Sequence, residues 1–149
     1  MKQWSRGIEI NAPIEQVWQL LNGTLEDTQK IMPNVIANEP VTLTDNMVGS
    51  IHRQKYQEGK RIMEYDVETL EYTNQPDLKS LKVGFTINKM FEITAAYELK
   101  KIDETKTDFT YMTSNKPLKW FLKPFLLFAG DKVVVEFVDR VKRVAENSN

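Results

Sequence analysis

His52 is the only histidine in a chain of 149 residues that has no cysteine, and this narrows the chemistry at once. Without cysteine there is no disulfide, no thiolate nucleophile and no sulfur-ligated zinc. A histidine-rich metal centre is equally excluded, and no calcium-loop spacing of carboxylates occurs, so neither metal nor other cofactor is expected. An acid-base enzyme needs a positioned proton donor or acceptor. His52 is the one imidazole available, while Glu64, Asp66, Glu92 and Glu98 fall on faces expected to point outward. No G-x-S-x-G, phosphate-binding loop or inward carboxylate pair appears.

The strand that carries His52 has two faces, neither of them cleanly apolar. Ser50, His52, Gln54 and Tyr56 share one, and Ile51, Arg53 and Lys55 the other. With Glu58-Gly59 as a two-residue turn, Gln54 faces Met63 and His52 faces Tyr65 on the inner side, and Arg53 meets Glu64 outside. A three-residue turn would instead bury Arg53 and Lys55. The first register pairs charges and isolates no cation, so His52 and Gln54 are expected to point inward. Polar groups on an otherwise apolar face need partners or water, as in a cavity with a few orienting groups. The plainer alternative is that they bond each other, a tyrosine or an ordered water.

The elements that would position these groups follow from periodicity. Trp4, Arg6, Ile8 and Ile10 alternate as a strand. Asn11-Ala12-Pro13 offers a polar cap and a first-turn proline, and Ile14, Val17, Trp18 and Leu21 then recur at helical spacing. Asn22-Gly23 stops that helix, and a second, short helix runs from Thr24 to about Ile31. Strands are expected at Val35–Leu43, Ser50–Gln57, Lys60–Tyr72, Leu78–Ile87, Met90–Ile102 and Lys106–Thr113. Pro117 and Pro124 bracket a turn or two, and a helix of about 22 residues then ends near Glu146, with Leu126, Ala129, Val133, Phe137, Val141 and Val144 toward the sheet. Short connections favour an antiparallel meander, so the fold class is α+β.

Inner faces read from alternation are Met63, Tyr65 and Val67; Leu81, Val83, Phe85 and Ile87; Phe91, Ile93, Ala95, Tyr97 and Leu99; Phe109 and Tyr111. The candidate ligand pocket is drawn from these, His52, Gln54 and Tyr56, joined by Phe125 and Phe128 of the closing helix. Between Trp120 and Phe128 that helix is apolar all round. The cavity and short helices bury it, or it is an exposed patch flanked by Lys116, Lys119 and Lys123 that gates the pocket, forms a homodimer or touches a membrane surface.

Twenty basic residues balance twenty-one acidic ones without a basic face, which argues against nucleic acid as partner. No apolar run approaches the length of a membrane span, so stable membrane insertion is not expected. Met1 to Gly7 lack the apolar core of a signal peptide, and the expectation is a cytoplasmic chain forming one domain over residues 1–149.

Three stretches resemble the START-like superfamily, also called SRPBCC or polyketide cyclase/dehydrase-like. They are Ile10–Leu21 at the first strand-to-helix junction; Val48-Gly49-Ser50 with the Arg53 strand, the Glu58-Gly59 turn and a partner strand ending in Glu71-Tyr72; and the closing Arg140–Glu146. The resemblance implies a helix-grip fold, a seven-stranded curved antiparallel sheet wrapped around the last helix, holding a small hydrophobic molecule or lipid between them. It carries over no catalytic residue. Cyclase members use polar pocket groups, a part that His52 and Gln54 would fill, and co-chaperone-like members use an outer surface.

Overall fold

In a computed structural model, residues 2–87, 89–118 and 130–147 are described. A strand β1 (Lys2–Ile10) leads to two short helices, α1 (Ile14–Asn22) and α2 (Leu25–Ile31). Six strands follow: β2 (Val35–Thr42), β3 (Ile51–Glu58), β4 (Arg61–Asn74), β5 (Leu78–Ile87), β6 (Phe91–Asp103) and β7 (Lys106–Pro117). Helix α3 (Asp131–Glu146) closes the chain. All strand pairs are antiparallel, in the order β1-β7-β6-β5-β4-β3-β2, so β2 through β7 form a meander and β1 joins beside β7. This is the helix-grip arrangement expected. No helix among the described residues is long and apolar enough to cross a membrane.

The two short helices are set by local chemistry. Thr24 accepts a hydrogen bond from the Asp27 backbone N–H, and the Asp27 carboxylate accepts one from the Thr24 backbone N–H, a closed capping box. Helix α1 has no such cap. Pro13 takes the cap position, and the backbone N–H of Asn11, the expected cap, donates instead to Glu146 at 2.8 Å.

The interior divides in two. At one end Ile10, Val17, Leu99, Phe109, Val138 and Val141 are wholly buried in a solid core between β1, β6, β7, α1 and α3. Arg140 donates to the Ile31 carbonyl and Lys142 to the Glu9 carbonyl, fixing α3 across that end. At the other end the inner face of the sheet bounds open space.

Four expectations about elements need correction. Helix α3 starts at Asp131, because Gly130 is extended, and does not run unbroken from further upstream. Its core stripe is Val134, Val138, Val141 and Ala145, with Phe137 and Val144 only partly buried and Val133 half exposed; Leu126 and Ala129 lie outside the described residues. Strand β7 continues to Pro117, so that proline ends a strand rather than opening a helix. The β3–β4 turn is Gly59-Lys60, since Glu58 pairs with Arg61. Gly59, at φ +61°, takes the first central position, where a two-residue turn of this kind needs a left-handed residue.

Candidate ligand cavity

The register of β3 on β4 decides which groups meet. Gln54 faces Tyr65, His52 faces Val67 and Tyr56 faces Met63. This is a two-residue displacement from the expected pairing. An even displacement leaves every side chain on its face, so His52, Gln54 and Tyr56 point inward as expected. Outside, Arg53 faces Asp66 at 3.0 Å and reaches Glu64 at 3.7 Å.

The open end of the interior is a cavity of about 650 Å³. Of the sequence-derived candidates, His52, Gln54, Tyr56, Met63, Tyr65, Val67, Phe85, Tyr97 and Tyr111 line it. Phe91 does not; it is buried against Ile87 and Ile93 in a small packed cluster at the strand end. Phe125, Phe128 and the whole apolar stretch from Trp120 fall outside the described residues. The floor is apolar, with Leu81, Val83, Ile93 and Ala95 from β5 and β6. Leu21, Thr28 and Met32 of α1, α2 and the turn after α2 make one wall, and Val133 and Val134 of α3 border another.

Sequence reasoning missed several polar lining groups, among them Asn38, Thr69, Thr113 and Asn115. Thr113 and Asn115 continue the inner face of β7 begun by Phe109 and Tyr111; period two within the expected strand reaches Thr113, while Asn115 lies beyond that strand's expected end. Thr113 donates to the Thr94 carbonyl at 2.9 Å. Asn115 is fully buried, and neither its Nδ2 nor its Oδ1 has a hydrogen-bond partner among the described residues.

Aromatic side chains stack across the cavity. Tyr65 lies on Phe85 with centroids 4.8 Å apart, Tyr97 on Tyr111 at 5.3 Å, and Phe137 of α3 tilts onto Tyr111 at 4.7 Å. The Tyr65 hydroxyl donates to Gln54 Oε1 at 2.9 Å, which answers part of the expectation that these polar groups find each other. His52 makes no side-chain hydrogen bond among the described residues. Burial pushes the Tyr65 phenol up to about 12, with the neighbouring Tyr56 adding to the shift. Burial also raises Tyr97 well above the ordinary range, and raises Tyr111, with the neighbouring Thr113 side chain opposing the shift. These tyrosines therefore stay neutral near pH 7 and act as hydrogen-bond donors, not bases.

No lysine, arginine or aspartate lines the cavity among the described residues, and the one carboxylate, Glu58, is an exposed residue at its rim. No group of three or more His, Asp or Glu side chains is placed to hold a metal ion among the described residues. A second concavity, on the outer face of the sheet around Gly84, is lined by Arg53, Glu64, Asp66 and Glu68, charges exposed to water and partly paired. The inner cavity offers what the outer groove does not: a less open, more apolar surface with a few hydrogen-bonding groups.

Comparison with solved structures returns the same fold. Norcoclaurine synthase from Thalictrum flavum, in complex with dopamine and hydroxybenzaldehyde, superposes with a TM-score of 0.67 at 15% identity, over 99% of this chain and 88% of that one. The human StarD13 lipid transfer and protein localization domain gives 0.71 at 14% identity, over 99% and 78%. The di-domain ARO/CYC BexL gives 0.75 at 11% identity over 98% of this chain, which spans 47% of that two-domain protein. A comparison with the curated proteins finds no match. The family model described as polyketide cyclase/dehydrase and lipid transport matches residues 1–146, and the chain therefore belongs to that START-like family.

Proposed function

We propose that this protein binds a small hydrophobic molecule or a lipid in the cavity between the sheet and α3. The observation that carries this reading is the cavity itself. Its volume, about 650 Å³, falls inside the range of roughly 300–1,000 Å³ common for small-molecule sites. Family membership supports the same reading at the level of class, since lipid transport and cyclase chemistry both require an apolar guest.

A cyclase or dehydratase activity would rest on the polar pocket groups His52 and Gln54. The buried tyrosines are held neutral, and no carboxylate pair faces the cavity among the described residues. Binding needs none of these groups to transfer a proton, so it is the better supported function.

Native mass spectrometry of freshly purified protein, followed by solvent extraction, tests the reading directly. The expected result is a co-purifying apolar molecule or, for emptied protein, a melting temperature that climbs with the concentration of added fatty acid or aromatic compound. A ligand at one hundred times its Kd stabilises the fold by about 2.7 kcal/mol. An empty protein whose melting temperature ignores every apolar compound would sink the proposal.

A further inference from the structure

The unpartnered amide of Asn115 lies on a row of inward-facing residues that runs across β7, β6 and β5. Asn115 of β7 pairs with Ile93 of β6, and Ile93 with Phe85 of β5. The β4–β5 ladder ends at Glu68 and Gly84, and beyond it Phe85 stacks on Tyr65 of β4, which pairs with Gln54 of β3 on the face shared with His52. The inner face thus carries the Asn115 amide at one flank, Gln54 and His52 at the other, and Ile93, Phe85 and Tyr65 between. Strands lie about 4.8 Å apart, which puts the two flanks about 19 Å apart along the curved sheet.

The flanks are unequal. On the β3 side Gln54 already accepts from Tyr65 at 2.9 Å. On the β7 side Asn115 is fully buried with both amide atoms unanswered among the described residues, and Thr113 beside it is engaged with the Thr94 carbonyl. A buried amide without partners opposes folding, and a leucine of similar size would not. A carboxamide side chain presents a donor and an acceptor side by side. Its complement is a group with an acceptor and a donor in the same adjacent arrangement. Among the described lining residues no lysine or arginine stands ready to neutralise an anion, which favours an uncharged group.

We propose that Asn115 is the recognition point for the polar head of the ligand, and that this head is a neutral carbonyl bearing an N–H, a carboxamide or lactam, with its apolar body lying over Ile93 and Phe85 toward His52. This deepens the binding reading above and rests on it.

The test uses the full chain and two probes, dodecanamide and N,N-dimethyldodecanamide. They share carbonyl and chain, but only the first has N–H donors. Each is titrated against an apolar fluorescent dye held in the cavity, in the wild type and in Asn115→Leu. The wild type is expected to bind dodecanamide about tenfold or more tightly than the dimethyl compound. In Asn115→Leu the two should bind alike, and the empty variant should melt above the empty wild type. Equal binding of both probes by the wild type would overturn the role of Asn115 while leaving the cavity reading intact, as would a preference that survives in Asn115→Leu. If neither probe nor the dye binds either protein, the binding reading itself falls, and this proposal with it. Should Asn115→Leu fail to fold, the wild-type comparison decides alone, supported by a shift of the Asn115 side-chain amide resonance with dodecanamide and none with the dimethyl compound.

Discussion

Gly23 sits where α1 hands over to α2, on the rim of the cavity, and it has no room for a methyl group. A Cβ there would lie 2.3 Å from the Gln19 carbonyl oxygen and 2.5 Å from Asp27 Oδ2. The first of these is backbone and cannot swing aside. Gly23→Ala is therefore expected to cost about 2 kcal/mol, within the usual range for forced overpacking, seen as a lower urea midpoint at unchanged slope. Because Leu21, Asn22 and Gly23 all border the cavity, the same substitution should weaken ligand binding. The sequence marked this glycine as a helix stop. It did not show the packing reason, which is the Gln19 carbonyl of α1 on one side and Asp27, folded back to cap α2, on the other.

That capping box gives the element-scale prediction. Thr24→Ala removes the acceptor for the Asp27 N–H, and loss of such a cap costs about 1 kcal/mol. The Asp27 carboxyl is held below its ordinary value of 3.8, chiefly by the Thr24 backbone N–H. A depressed acid stabilises the fold above its unfolded value, and that contribution is lost as pH falls through the lower folded value. Acid unfolding followed by circular dichroism should thus show a shallower loss below pH 3.8 in Asp27→Asn, from a lower starting stability. Both helices beside the cavity and the inner faces of β4, β5 and β6 could be read from periodicity, because alternation depends only on neighbouring residues. Three features could not. The β3–β4 turn was misplaced, yet the faces held because the displacement was even. The end of β7 reads as Ser114-Asn115-Lys116-Pro117, polar and turn-like, and becomes strand only because β1 pairs with Ser114 and Asn115 on one side and β6 with Lys116 and Pro117 on the other. That tertiary pairing hid Asn115 from the sequence reading. The α3 stripe was misaligned by one residue at Val133, where half-exposed and buried valines follow one another.

Across the whole molecule, three buried tyrosines make the fold sensitive to base. Below pH 10 they are neutral in both folded and unfolded chains. As pH rises beyond the ordinary value of 10, the unfolded chain sheds its phenol protons while the folded one keeps them, through about 12 for Tyr65. Stability must therefore fall with rising pH across that window. Denaturant midpoints measured from pH 8 upward should hold steady and then drop above pH 10, and Tyr65→Phe should soften the drop. The opposite margin of the sheet carries its own consequence. Strand β2 ends the sheet order, its ladder slips at Val35/Ala37 and again at Pro40/Thr42, and Pro40 has no N–H to offer. A long, flat rim of free backbone groups would invite a second chain to zip onto it. These interruptions instead break that rim into short pieces, which makes β2 a poor template for pairing with a second copy.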